Sequence, residues 1–319
     1  LYINDLPDNL KSECYMFADD TKLFKSIQKL DDCEVLQHDM KELETWSNKW
    51  LLRFHPDKCK ISTAGKRRIP SFEYELCNTK LQITNKEKDI GVVIDSHLNF
   101  EDHMNEKINK ANSIMGLIRR TFSCLDKNTF VLLFKALVRP HIEYANSVWN
   151  PYKRKHILAL ENVQRRATKL IPDMKDLSYE ERLRNLKLPS LAYRRKRGDM
   201  IETFKMLSGI YDTDLPMILQ TAVDSHTRGH SKKLFQQRSN RNTRKNFFTN
   251  RVTNMWNSLP ENVISAKSLI SFESRLDKHW KNQDLLYNFE ADLITGMSVN
   301  TEDEDNVEED DDEDLSIEA

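Results

Sequence analysis

The chain has 319 residues, enough for two domains, because single hydrophobic cores rarely grow beyond about 250 residues. Its formal charge is -1, but residues 301–319 hold 12 of the 50 acidic residues and no Lys or Arg, which leaves 49 basic against 38 acidic side chains in residues 1–300. This basic body suits a polyanionic partner, whereas five cysteines without a C-x-x-C pair and the lack of a long apolar run argue against a disulfide framework, a zinc knuckle and a membrane span. We therefore expect a soluble protein of a reduced, intracellular compartment.

The chain opens on the apolar residues Leu1-Tyr2-Ile3 without a Met, so we expect it to continue an element that begins upstream. Residues 14–27 place apolar side chains on both sides of Ala18-Asp19-Asp20-Thr21, which predicts a hairpin with the two aspartates at its tip. A helix should follow, capped by Asp31 and Asp32. Its apolar stripe repeats at spacings of three and four, at Leu36, Met40, Leu43, Trp46 and Trp50.

Residues 72–94 alternate with a period of two about a turn at Asn78 and end in the run Ile90–Ile94, which predicts strands. Helical periodicity then returns between Met104 and Ile118 and between Phe130 and Val138, where Pro140 should end the helix. Further helices are predicted at 154–171, 190–208 and 268–280. The expected fold class is α+β.

The segment 226–251 is basic, lacks acidic residues and contains Phe235, Phe247 and Phe248, so we predict a mostly irregular segment that binds nucleic acid. The Phe side chains are alternatively core anchors. From about residue 298 the acidic tail has almost nothing to bury and is expected to be disordered.

Adjacent aspartates at a hairpin tip suit two-metal nucleotidyl transfer. One Mg²⁺ ion activates the attacking hydroxyl, a second steadies the leaving pyrophosphate, and both prefer carboxylate oxygens. The alternative is an ordinary solvated turn. The choice between a metal-binding hairpin and a solvated turn depends on the sequence around Asp19 and Asp20.

Five segments in order, LYINDLP, YMFADDTKLF, a helix, WLLRFHPDKCKI and KDIGVVIDSHLNF, resemble the palm of reverse transcriptases from non-LTR retrotransposons of the jockey and CR1 type. The resemblance implies that Phe17, Ala18, Asp19 and Asp20 form the metal-binding box. It also implies that Lys58 protonates the leaving pyrophosphate as a general acid, and that Gly91 belongs to a hairpin supporting the primer. A further metal-binding Asp of the family would precede Leu1, so the isolated chain should be an inactive fragment.

The resemblance continues through residues 139–151, 160–171, 179–207 and 251–263. It implies a truncated palm at 1–97, a helical thumb-like region at 98–175, a helical and basic region at 176–286 and a disordered acidic tail at 287–319. The implied activity is RNA-directed DNA polymerisation with Mg²⁺, or alternatively Mn²⁺, acting on an RNA template, a DNA primer and dNTPs. The nucleus is the implied place of action, with the cytoplasm as the alternative.

Basic residues in three places are candidates for contacts with nucleic acid, because phosphate contacts give affinity that is independent of sequence. Helix 154–171 should carry one set opposite its apolar side, a second cluster follows at 194–197, and the third lies in the basic segment. They are Arg165, Arg166 and Lys169; Arg194, Arg195 and Arg197; and Arg228, Lys232, Lys233, Arg241, Arg244 and Lys245. For the first two sets, a solvated helix face is the alternative.

Two other functions stay open. The chain is alternatively a retroelement remnant that binds nucleic acid without catalysis. It is also alternatively a helical interaction protein whose acidic tail recruits basic partners such as histones.

Overall fold

The computed structural model describes residues 3–65, 71–122, 124–211, 219–222 and 229–295. The chain forms two compact units, Leu1–Asn109 and Lys110–Ala319. All strands of the described residues lie in the first unit and helices dominate the second, so the predicted mixture of helices and strands is confirmed. The division lies inside one long helix, and the domain boundaries predicted at residues 97, 175 and 286 stay predictions.

Short paired strands and one complete helix build the first unit. Their bounds are β1 Glu13–Phe17, β2 Asp20–Phe24, α1 Leu30–Trp50, β3 Lys60–Ser62, β4 Glu75–Leu76, β5 Thr79–Lys80, β6 Gln82–Thr84, β7 Lys86–Asp89 and β8 Val92–Asp95. β1 with β2, β4 with β5 and β7 with β8 form antiparallel hairpins, and β3 pairs in parallel with β6. The predicted hairpin with Asp19 and Asp20 at its tip is confirmed.

Helix α1 provides one side of the first core. It begins where the Asp32 carboxylate accepts hydrogen bonds from the backbone N–H groups of Gln28 and Lys29, at 2.8 and 3.0 Å, so the predicted role of Asp32 at the helix start is confirmed. Cys33 and Met40 pack with Leu76 of β4 and with two residues that flank the strands, Tyr74 and Leu81. The predicted apolar stripe is wrong at its end, because Trp50, the last residue of α1, is 41% exposed.

The run Ile90–Ile94 was predicted as one strand, and this is corrected. Ile90 and Gly91 have φ values of +41° and +77° and form the turn between β7 and β8, so the strand begins only at Val92. Positive φ is easy for glycine but strained for a β-branched residue, which explains why the apolar run gave no sign of a turn at Ile90.

The described residues of the second unit contain the second half of α2 and ten complete helices, α3 to α12. Their bounds are α2 Glu101–Thr121, α3 Lys127–Leu133, α4 Arg139–Glu143, α5 Asn146–Trp149, α6 Arg154–Thr168, α7 Tyr179–Leu186, α8 Leu191–Leu207, α9 Asn242–Lys245, α10 Phe248–Asn257, α11 Glu261–Ile264 and α12 Leu269–His279. Met200, Phe204, Trp256, Phe272 and Trp280 are among the buried side chains of its core. Within the described residues, no helix has both the length and the apolar character needed to cross a bilayer.

The sequence predicted that Pro140 ends the helix that starts near Phe130, and this prediction is wrong. Residues Phe134–Val138 form a π-helical turn, and Pro140 lies in the first turn of α4, where its missing N–H is tolerated. A proline ring also collides with the carbonyl group four residues before it in a regular α-helix, and a π turn is one way for the chain to adjust.

Two predicted segment limits are also corrected. Between Gly229 and Arg241 the basic segment is mostly irregular, as predicted, but α9 and then α10 occupy most of residues 242–251. The packed part of the chain extends beyond residue 287, where the tail was predicted to begin, because Leu293 is buried and Phe289 packs against the core of the second unit.

Candidate metal-binding hairpin and basic surfaces

The β1–β2 hairpin exposes both candidate metal ligands. Phe17 pairs directly with Asp20, so only Ala18 and Asp19 form the turn, and Ala18 has a φ of +54°. Asp19 and Asp20 are exposed, as are Ala18 and Phe17, whose ring is 60% exposed. Asp19 therefore lies in the turn and Asp20 in the first pair of the strands, with both side chains open to solvent.

A buried carboxylate holds the base of this hairpin. Asp39 of α1 is fully buried and accepts hydrogen bonds from the backbone N–H groups of Lys11, at 3.0 Å, and Ser12, at 2.8 Å. Charge-assisted hydrogen bonds of this type are strong when they are shielded from water. Asp39 therefore fixes the start of β1 relative to α1. Sequence reasoning missed it, although an acidic residue directly before Met40 of the apolar stripe was a visible signal.

The β7–β8 hairpin contacts the β1–β2 hairpin through an ion pair. Because residues that face each other across two strands share one side, Asp20, Lys22 and Phe17 lie on the same face of the β1–β2 hairpin. The Lys22 ammonium pairs with the carboxylate of Asp89, which directly precedes the Ile90–Gly91 turn. The structure thus brings the turn that contains Gly91 to the face of the hairpin that carries Asp20.

Helix α2 also contacts the β7–β8 hairpin. His103 is fully buried, and its Nδ1 accepts a hydrogen bond of 3.1 Å from the backbone N–H of Val93. Burial, helped by the charge of Lys107, lowers the pKa of His103 to about 4, so the ring is neutral at physiological pH. Only a neutral ring has a nitrogen that accepts this hydrogen bond.

Lys58 lies in a single 3-10 turn, Pro56–Lys58, that leads into β3. The side chain is exposed, as expected of a group that meets a ligand. Among the described residues, no three or more His, Cys, Asp or Glu side chains gather closely enough to hold a metal ion. Asp19 and Asp20 are thus a pair of candidate ligands rather than a complete set.

In the second unit, the three predicted basic residues of α6 do not share a free face. The guanidinium of Arg165 lies against the rings of Tyr179 and Phe289, at 5.2 and 5.4 Å, so this residue is part of the packing. Arg166 is exposed and donates a hydrogen bond of 3.2 Å to Asn112, and Lys169 is exposed. Only these last two remain accessible to a phosphate group.

The predicted phosphate-binding cluster at residues 194–197 is also corrected. Arg194 makes a bidentate pair with Glu143, and Arg197 makes a bidentate pair with Asp277, at 2.6 and 2.9 Å. Hydrogen bonding to Asp277 raises the pKa of Arg197. Arg195 is only 4% exposed. These side chains are internal partners of acids elsewhere in the chain, and sequence spacing gave no sign of those partners.

Buried acids form the centre of this charged network. Asp199 is fully buried and pairs with Arg251, while Glu161, also fully buried, accepts a hydrogen bond of 2.6 Å from the Tyr179 hydroxyl. Burial raises the pKa of both carboxyl groups, and their partners counteract it. Sequence reasoning missed both residues, although an acid within the apolar side of a predicted helix was again the available signal.

The basic segment divides into buried and exposed parts. Lys233 and Phe248 are buried, so these two belong to the core side of the segment. The exposed cations are Lys232, Arg238, Arg241, Arg244 and Lys245, and Phe235 and Phe247 are 57% and 45% exposed. The Arg244 guanidinium lies 5.3 Å from the centre of the Phe247 ring. Arg228 was also predicted to bind nucleic acid, and it lies outside the described residues.

No family model and no solved structure matches this chain. An uncharacterized protein of Caenorhabditis elegans is 25% identical over 135 residues, which make up 41% of this chain and 68% of the nematode protein. The similarity carries no named activity, ligand or partner, so the function has to be argued from the side chains described above.

Proposed function

We propose that the chain is part of an RNA-directed DNA polymerase that binds Mg²⁺, or Mn²⁺, through Asp19 and Asp20. The observation that carries this proposal is the exposed hairpin tip, with Asp19 in the turn and Asp20 at the start of β2, on a hairpin anchored by buried Asp39. A polymerase needs its metal ligands on a rigid support that leaves room for a primer end and a nucleotide.

Several further assignments follow from this proposal. Residues before about 97 act as the palm, the helices to about 175 as a thumb, and the Ile90–Gly91 turn contacts the primer strand. Lys58 donates a proton to the leaving pyrophosphate. Asp19 and Asp20 act together with a third carboxylate that the resemblance places before Leu1. RNA template, DNA primer and dNTPs are the substrates.

Primer extension on an RNA template tests this function. We would compare the chain with the same chain joined to the polypeptide encoded directly upstream of Leu1, in the presence of Mg²⁺. The joined form should extend the primer, and Asp19→Asn or Asp20→Asn should abolish extension. Asp57→Asn is the matched control, because its carboxylate is also exposed in a turn and is 83% accessible. Extension that survives both hairpin substitutions would refute the proposal.

A second candidate is a module that binds single-stranded nucleic acid without catalysis. Its support is the exposed part of the basic segment, where five exposed cations and two exposed aromatic rings occur with no acidic residue between Gly229 and Phe247. Cations along a backbone path, with rings that stack on bases, are the usual means of binding single strands without sequence preference.

Fluorescence anisotropy with a labelled single-stranded oligonucleotide tests this candidate at several salt concentrations. Five phosphate contacts predict a slope of log affinity against log salt of about -3.5. Replacing Arg241, Arg244 and Lys245 by Gln should reduce the slope by about 2, whereas Phe235→Ala should weaken binding without changing the slope. Lys278→Gln, an exposed lysine of α12, is the control. A slope that none of these substitutions changes would contradict the assignment.

A further inference from the structure

Five exposed cations and two exposed aromatic rings lie within residues 232–247 of the second unit. We call them the basic-aromatic surface, and its side chains are Lys232, Phe235, Arg238, Arg241, Arg244, Lys245 and Phe247. Within the described residues, none of the five cations forms an ion pair with a carboxylate, and Arg244 donates instead to the uncharged amide of Gln237, at 2.6 Å. The next acidic residue along the chain, Glu261, accepts hydrogen bonds from Ser231. The positive charges of this surface are therefore available to an anionic partner.

Hydrogen bonds to the backbone hold this surface against helix α10. The indole N–H of Trp256 donates to the carbonyl of Lys232, at 2.8 Å, and the side-chain amide of Asn250 donates to the carbonyl of Arg244, at 3.0 Å. Trp256 and Asn250 are buried, so the two anchors fix the backbone and leave the charged side chains outside. A partner thus meets a backbone that is already ordered, which lowers the entropy lost on binding.

The chain itself contains a segment of matching charge. Residues 301–319 of the acidic tail have 12 Asp or Glu side chains and no Lys or Arg, whereas residues 225–260 have eight Lys or Arg and no Asp or Glu. No other stretch of the chain without acidic residues is as long. The tail also carries two apolar side chains, Leu315 and Ile317, directly after its acidic run. Its composition is therefore complementary to a surface of cations and rings.

The acidic tail is long enough to reach this surface. Both belong to the unit Lys110–Ala319. The 19 residues from Gly296 to Asp314 span up to about 65 Å when extended, whereas a folded unit of about 200 residues has a diameter of roughly 45 Å. A tether of this length gives the tail an effective concentration on the order of 1 mM, so ion pairs that are weak individually are sufficient to hold it.

We propose that the acidic tail of the same chain occupies the basic-aromatic surface and competes with nucleic acid for it. The carboxylates of residues 302–314 pair with the guanidinium groups of the surface, because a guanidinium binds carboxylate and phosphate oxygens with the same paired geometry. Leu315 and Ile317 contact the exposed rings. The contact within the chain needs neither proposed function, whereas its effect on nucleic acid rests on the second candidate function, the binding of single strands.

Carbodiimide cross-linking of the full chain tests the contact without nucleic acid, since this reagent joins an ammonium group to a carboxylate that touches it. Mass spectrometry should find the tail linked to Lys232 or Lys245, whereas Lys278, an exposed lysine of α12, should be linked at least about tenfold less. Links spread evenly over the exposed lysines, or no link to the surface, would overturn the proposal. In a mixture of isotope-labelled and unlabelled chains, links between the two would identify a second copy as the source of the tail and would also overturn it.

Anisotropy of a labelled single-stranded oligonucleotide measures the competition. Replacing the seven acidic residues of 308–314 by their amides, in the full-length chain, should strengthen binding at least about tenfold at low salt, because the surface is then vacant. In a chain that carries Arg241→Gln, Arg244→Gln and Lys245→Gln, the same replacement should change binding by less than about twofold. Lys278→Gln is the matched control and should leave the tenfold gain intact. General repulsion between the tail and the oligonucleotide would give equal gains in all backgrounds, which would overturn the proposal.

The two measurements distinguish a failure of the tail contact from a failure of the second candidate function. An oligonucleotide that binds none of these forms would refute nucleic-acid binding, and with it the competition. Links from the tail to Lys232 or Lys245 would still confirm the contact within the chain. Absence of these links from a chain that binds the oligonucleotide would refute the contact and leave the binding function in place.

Discussion

Replacing Arg251 by Met removes the partner of a fully buried carboxylate, that of Asp199. Arg251 donates to both oxygens of Asp199, at 2.9 and 2.8 Å, and to the carbonyl of Ser147, at 2.7 Å. The two side chains are 11% and 1% exposed. Without Arg251, Asp199 retains the hydrogen bond of 3.3 Å from the Asn150 amide and the nearby charge of buried Arg195.

The expected loss is large because the remaining charge stays buried. Removing one partner of a buried ion pair costs about 3–5 kcal/mol, a substantial part of the roughly 5–15 kcal/mol by which domains are stable. The loss should also depend on pH. Burial raises the pKa of Asp199, and the missing arginine no longer counteracts this, so the folded variant takes up a proton more readily than the unfolded chain. The deficit should therefore shrink as the pH falls and grow as it rises.

Urea unfolding followed by far-UV circular dichroism measures this loss, at neutral pH and again under mildly acidic conditions. Arg244→Met is the matched control, because Arg244 is exposed and its replacement should change the free energy of unfolding by less than about 0.5 kcal/mol. Adding Asp199→Leu to Arg251→Met should restore part of the stability, which would identify the uncompensated charge as the cause. A single Arg251→Met variant within about 1 kcal/mol of the parent would refute the reasoning.

Three further predictions concern the first unit. Asp39→Ala leaves the N–H groups of Lys11 and Ser12 without their acceptor and should lower the free energy of unfolding by about 3 kcal/mol in a urea titration, whereas exposed Asp31→Ala should not. Ile90→Asn relieves a φ of +41° at a half-exposed position, and a thermal melt should show a gain of about 1 kcal/mol; an unchanged or lower Tm would argue against strain at this turn. The folded-state pKa of His103, about 4, lies below the ordinary value of 6.5, so stability is complete above 6.5 and falls by up to about 3 kcal/mol as the pH drops towards 4. His103→Gln should flatten this part of the stability profile if His103 causes it.

Much of the fold follows from local patterns in the sequence. Acidic turn residues between aromatic runs were enough to predict the β1–β2 hairpin, and apolar periodicity was enough for α6, α8 and α12. The turn at Ile90 and the π turn before Pro140 were not predictable in this way. Both have a backbone conformation that their residues rarely adopt, and contacts with the rest of the folded chain are needed to impose such a conformation.

The candidate site was predictable only where its residues are exposed at a hairpin tip. Asp19 and Asp20 lie where the sequence placed them, but the pairing of Arg194 and Arg197 was invisible. Their acidic partners, Glu143 and Asp277, are 51 and 80 residues away along the chain. The composition gives the number of charged side chains, but it does not show which of them form ion pairs within the folded chain and which stay available to a ligand.

That distinction changes the meaning of the basic excess in residues 1–300. Arg194, Arg197 and Arg251 are bound to carboxylates, and Arg165 is stacked on aromatic rings, so each of these four would have to give up an internal contact to meet a phosphate group. Five exposed cations of the second unit instead lie within residues 232–245, beside accessible Phe235 and Phe247. On a surface that combines cations with aromatic rings, salt weakens the contacts of the cations with phosphate groups but not the stacking of bases on the rings. Nucleic acid held by this surface should therefore keep measurable affinity at high salt, whereas a surface of cations alone would lose it.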